Sequence, residues 1–133
     1  MQELAALAAL RALPSVTLVE RAIDSVASFK HVQLVLAERP PDSEASEWLI
    51  AAYRSERAEP WLTAVLLRAL RVPASLPVAR EILARAHGLL SESYAGQAIA
   101  RIGGDAARRA LLEMLRPPHH RRTRGARASA SSN

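Results

Sequence analysis

A chain of 133 residues, half of them apolar and 23% charged, is the size of one domain and can bury a real core. It contains no cysteine, which excludes disulfides, thiolate metal sites and a thiol nucleophile. The net charge of +5 and a pI near 10.9 suggest a nucleic-acid binder only until the charges are located.

All 18 basic residues except Lys30 are arginine. The stretch 117–133 holds Arg121, Arg122, Arg124 and Arg127 and no acid, so it carries +4 and leaves +1 for residues 1–116. The sequence therefore divides into a near-neutral body, 1–116, and a basic tail, 117–133, rich in Arg, Ala, Ser and His without periodicity and read as disordered. The start, Met1-Gln2-Glu3-Leu4, lacks a positive leader, and no apolar run is long enough to span a bilayer. A cytoplasmic protein with no membrane association is the expectation.

Abundant Ala and Leu with few aromatics favour helix over strand, and apolar residues recur at helical spacing throughout the body. The first predicted helix, about 2–13, carries Leu4, Leu7, Leu10 and Leu13 and is apolar on much of its circumference. Such a helix is a candidate for packing against a second copy of the chain. Pro14-Ser15 breaks the pattern, with Ser15 as N-cap, and a helix over 15–28 follows with Val19, Ala22, Ile23, Val26 and Ala27 on one face. Val32, Val35 and Leu36 give a face to a third helix over 30–39. Phe29-Lys30 offers no break, so continuity with the second helix stays open. Pro40-Pro41-Asp42-Ser43 makes a turn, and Asp42 or Ser43 caps a helix over 43–57 with Ala45, Trp48, Leu49, Ala52 and Tyr53 inward. Pro60 opens a helix over 60–72 on Leu62, Val65, Leu66, Ala69 and Leu70. Pro73 and Pro77 bracket the next break. Ala79, Ile82, Leu83 and Ala86 then mark 77–88, and Ala95, Ala98, Ile99 and Ile102 mark 91–103. Gly103-Gly104-Asp105 reads as stop, turn and cap before a last helix over 105–116, faced by Ala107, Ala110, Leu111, Met114 and Leu115. Pro117-Pro118 ends it.

Counted in pairs, the first helices start near residues 2, 30, 60 and 91, and short loops force neighbours antiparallel. A helical hairpin recurring at that spacing predicts an all-α fold, a short α-solenoid of about four helix pairs. A compact irregular helical bundle is the alternative. The segment Ser91 to Arg116, SESYAGQAIARIGGDAARRALLEMLR, resembles a HEAT-like repeat of the short bacterial type, also found in phycobilisome lyases. Ala95, Ala98, Ile99, Ile102 and Gly103 match the first helix and its glycine turn. Asp105 matches the acidic cap, and Ala110, Leu111, Leu112 and Leu115 match the second helix. Glu59 to Gly88 looks like a weaker copy that departs at the turn, where Arg71-Val72-Pro73 stands instead of Gly-Gly-Asp. Residues 1–58 match in helix spacing alone.

No catalytic, cofactor-binding or metal-ligating set emerges. His31, His87, His119 and His120 form no H-x-x-x-H or H-E-x-x-H pattern, and the adjacent pair lies beside four arginines. Glu20 and Asp24 share a helical face, but a polar one, which a solvated surface explains. Gly103-Gly104 lacks the Lys-Ser/Thr of a phosphate loop. Lyases and glycosylases also use HEAT-like repeats, but a bilin or damaged-base pocket needs convergent polar and aromatic groups that are not found here.

What remains is surface. Trp61, just off its helix stripe, is either inter-repeat packing or an aromatic anchor for a partner. The resemblance implies that the second helices line a concave face. Their charges run from acidic (Glu20, Asp24, Glu47) to basic (Arg80, Arg85, Arg108, Arg109, Arg116). Ordinary pairing, Glu81 with Arg85 and Asp105 with Arg108 or Arg109, is the plainer account. Arg121, Arg122, Arg124 and Arg127 could neutralise phosphates, weakly and without sequence preference, and no aromatic residue accompanies them for stacking. The expectation is a non-enzymatic interaction or scaffolding module with an unidentified protein partner. Weak nucleic-acid binding through the tail and the late arginines is the alternative.

Overall fold

A computed structural model describes residues 2–85 and 88–114, and among these it is all-helical, with no strand. The elements are α1 (Gln2–Arg11), α2 (Ser15–Asp24), a short 3-10 turn (Val26–Ser28), α3 (Phe29–Ala37), α4 (Ser43–Arg54), α5 (Pro60–Leu70), a second 3-10 turn (Pro73–Ser75), α6 (Leu76–Arg85) and α7 (Leu89–Met114).

Most breaks fall where Pro and Gly place them, by mechanisms that can be read off. Asp42 caps α4, its Oδ1 accepting from the Ala45 N–H at 3.0 Å. Pro60 sits in the first turn of α5, where no N–H is needed. At α2 the cap moves by one residue. Pro14, locked at φ −62 and ψ 154, takes the N-cap position, and Ser15 becomes the first helical residue, buried at 7% exposure. Helices α2 and α3 are not continuous. The chain breaks at Ser25 (φ −136, ψ 89), and the Ser28 hydroxyl bonds the Ser25 carbonyl at 2.7 Å to hold the 3-10 turn. Because α2 stops at Asp24, Val26 and Ala27 leave its apolar face, and Val26 is 47% exposed. At the other end, Gly104 alone departs from helical geometry, at φ 68 and ψ −155, inside the run called α7. A single left-handed glycine redirects the chain there without a loop.

Packing follows an alternation. Helix α1 contacts α3, α3 contacts α5, and α5 contacts α7; α2 contacts α4. Helix α5 is central, touching α3, α4, α6 and α7 and burying Leu62, Thr63, Ala64, Val65, Leu66, Leu67, Ala69 and Leu70. Around it the core holds Leu18, Leu36, Leu49, Ile82 and Ile99, all essentially inaccessible. Helix α7 offers it mostly small residues, Ala95, Gly96 and Ala98, which let helices approach closely. In α1, Leu10 is buried, Leu7 packs against the core and so does Leu13 just beyond the helix, leaving Ala5, Ala6, Ala8 and Ala9 outward. No helix among the described residues is long and apolar enough to cross a membrane.

Candidate interaction surface

Three rows of side chains cross from helix to helix. The first is aromatic, with one ring near the start of each of α3, α5 and α7. Phe29 meets Trp61 edge-on at 5.2 Å between centroids, and Trp61 meets Tyr94 at 6.4 Å, within the range where ring quadrupoles attract. The Trp61 indole N–H donates to Glu59 Oε2 at 2.8 Å. Trp61 is thus half-buried packing between helices, with its polar edge already satisfied.

The second row ties helix ends together through arginines. Arg39 donates to the Arg11 carbonyl at 3.0 Å and to the Ser15 hydroxyl at 3.1 Å, and Arg71 donates to the Arg39 carbonyl. Each guanidinium satisfies a carbonyl at the C-terminal end of the odd-numbered helix before it, where the backbone has orphan acceptors. Arg71 itself adopts the left-handed conformation at φ 56, the geometry a glycine would otherwise supply.

The third row is polar. Arg68 on α5 donates to Gln33 Oε1 on α3 at 2.6 Å and to Gln97 Oε1 on α7, and its guanidinium lies 5.5 Å from the Tyr94 ring centre. This row lies in a groove of about 530 Å³ lined by Gln33, Leu34, Ala37, Arg68, Ala69, Gln97, Ala100 and Arg101. Among the described residues the lining contains two arginines and no acid.

A second charged cleft, about 400 Å³ between α4, α5 and α6, is compensated internally. Its Arg54 and Arg85 face Glu56, Glu59 and Glu81. Arg54 bonds Glu81 directly, and Arg85 reaches the same carboxylate at 3.5 Å. The hydrogen bond from Arg54 holds the Glu81 carboxyl below its ordinary value, and its acceptance raises the Arg54 pKa. Burial, then the Glu81 charge, pushes the Tyr53 hydroxyl up. Arg11 does the same to Glu38 across a 2.9 Å pair.

The residues singled out from sequence scatter over this surface. Glu20 and Asp24 do lie together on the solvent side of α2, 3.8 and 3.2 Å from Arg57. Arg57 in turn covers the half-buried Trp48 ring at 5.2 Å. Arg85 is paired within α6, while Arg80 and Arg109 are exposed on different helices. Arg116, the tail arginines Arg121, Arg122, Arg124 and Arg127, and His87, His119 and His120 lie outside the described residues, as does the side chain of Arg108. The described residues include no group of three His, Asp or Glu arranged to hold a metal. Of the residues that join the helices, Gln33, Arg39, Arg68 and Gln97 carry no mark in the sequence and Arg71 stands out there only as a departure from a glycine turn, because nothing local marks a polar residue whose partner lies on the next helix but one. Comparison with family models, curated proteins and solved structures returns no match.

Proposed function

We propose that this chain is a non-enzymatic protein-interaction module, a short stack of HEAT-like helical pairs that presents joined helix faces to a protein partner. One observation carries the reading: the cross-helix rows repeat. Phe29, Trp61 and Tyr94 recur at intervals of about 32 residues, the same separation as the Arg71 bond to Arg39. The stacking of α1 on α3, α3 on α5 and α5 on α7 agrees with a one-dimensional array, where each pair leans on the next. Such arrays expose broad continuous faces, and here one face carries a polar groove whose described lining holds two arginines and no acid.

The test is affinity capture from native cell extract with the full chain and with a chain lacking residues 117–133, each with and without nuclease. The expected result is a defined protein retained by both chains after nuclease treatment. Loss of every retained protein on nuclease treatment, or a turnover assigned to the purified protein, would sink the reading. The nucleic-acid alternative rests on the +4 tail and predicts a salt-dependent gel shift that disappears with residues 117–133.

A further inference from the structure

The groove across α3, α5 and α7 points to a more specific partner, and the inference rests on the interaction-module reading above. We infer that this groove takes an extended acidic peptide segment with an aliphatic side chain, held by Arg68 and Arg101.

Arg11, Arg54, Arg57 and Arg85 each face a carboxylate. Arg68 is half-buried, yet its bonds go to two neutral amides and its flat face lies over Tyr94. Its charge is held in place and meets no carboxylate among the described residues. A guanidinium has five N–H donors and no acceptor, so two bonds leave about three donors to offer. It also dictates the amides. Both glutamine oxygens must turn toward Arg68, which leaves the amide N–H groups as what the row can still present. One of these reaches the Ser93 hydroxyl at 3.2 Å, and the others remain. Arg101, on the turn of α7 after Gln97, is exposed and has no carboxylate partner among the described residues. The groove is therefore rich in donors and positive, and its complement is a ligand of acceptors and negative charge.

The choice of an acidic peptide over a phosphate chain comes from the apolar part. Leu34, 53% exposed, lines the groove together with Ala37 and the buried Ala69. A peptide can put an aliphatic side chain there, whereas a phosphodiester backbone would leave it uncovered. The ring beside the row, Tyr94, is not among the groove's lining residues and already engages Arg68 and Trp61, which makes it a poor platform for a base. The chain's own tail is excluded as occupant by its four arginines. Helices pack about 8–10 Å apart, so the row from α3 to α7 spans about 16–20 Å, the reach of about six residues of extended chain.

The test measures anisotropy of a fluorescein-labelled peptide of mixed Glu and Leu. A peptide with Lys in place of Glu, one with Ser in place of Leu, and a single-stranded DNA oligonucleotide serve as comparisons. Arg101→Glu and Leu34→Glu change exposed side chains and should leave the circular-dichroism melt in place. Arg21→Glu, an exposed site on α2 away from the groove, makes the same change in net charge as Arg101→Glu. Saturable, salt-weakened binding of the Glu/Leu peptide is expected, roughly tenfold weaker in Arg101→Glu and in Leu34→Glu and within about twofold of wild type in Arg21→Glu. Equal loss in Arg21→Glu, no saturable binding, or groove-dependent binding of DNA in preference to the peptide would overturn the inference. If extract capture retains a protein equally well with the groove variants, the groove assignment fails and the module reading stands. If capture fails altogether, the module reading fails first.

Discussion

At Arg71 a residue with a side chain sits at φ 56, where glycine is usually favoured, because its guanidinium reaches the Arg39 carbonyl. Arg71→Ala keeps the backbone cost and loses the bond, while Arg71→Gly loses the bond but relieves the backbone. Chemical denaturation should therefore find both variants weaker than wild type, with Arg71→Gly above Arg71→Ala by about 1 kcal/mol. Ser46 is the opposite case. Its hydroxyl, 2% exposed in α4, has no hydrogen-bond partner among the described residues. Ser46→Ala removes an unsatisfied buried group and raises helix propensity, so the melting temperature should rise, by about 0.5–1 kcal/mol in stability. Neither site could be read from sequence. Arg71 stood out only as a departure from a glycine turn, and nothing in the pattern around Ser46 tells a satisfied serine from an orphaned one.

Helix by helix, the breaks made by covalent chemistry were legible: Pro14, Pro40-Pro41, Pro60 and the Gly104 turn act through backbone geometry that is local. The break at Ser25 was not, since the Ser28 hydroxyl that competes for the backbone carbonyl there sits in a stretch whose apolar spacing still reads as helix. Pairing between helices has its own signature in pH. Arg11 with Glu38 and Arg54 with Glu81 both hold carboxyls below the ordinary value near 4.5. A depressed carboxyl contributes stability that is present above its unfolded value and is lost as pH falls through the folded one. The melting temperature should accordingly decline as pH drops below about 4.5, and the acid limb should be shallower in Glu81→Gln than in wild type. Glu81 is the more informative of the two, its side chain being 22% exposed against 50% for Glu38, where solvent screens the pair. An equally steep acid limb in Glu81→Gln would remove this ion pair from the account of acid stability.

For the molecule as a whole, a stack of helical pairs and a single bundle differ in how far a local loss spreads, and Arg39 sits where that difference can be measured. Helical spacing made the all-α class readable, and the repeat of helix starts suggested an array. The rows that join the helices depend on register between elements, which spacing within one element does not encode. Arg39 links the end of α3 to the Arg11 carbonyl and to Ser15, so Arg39→Ala loosens the first helical pair from the second. In a nearest-neighbour array that loss stays local, whereas in a single cooperative bundle it lowers the stability of every buried amide together. Hydrogen exchange read by mass spectrometry separates the two. In wild type the amides of α5, enclosed by α3, α4, α6 and α7, should exchange most slowly, and those of α1, with its outward alanines, most quickly. In Arg39→Ala, exchange in α1 and α2 should accelerate while that in α5 stays within about twofold of wild type. A uniform acceleration that reaches α5 would instead assign the chain to the irregular bundle. The groove across α3, α5 and α7 would then be a feature of one rigid surface and no longer the middle of a repeating face.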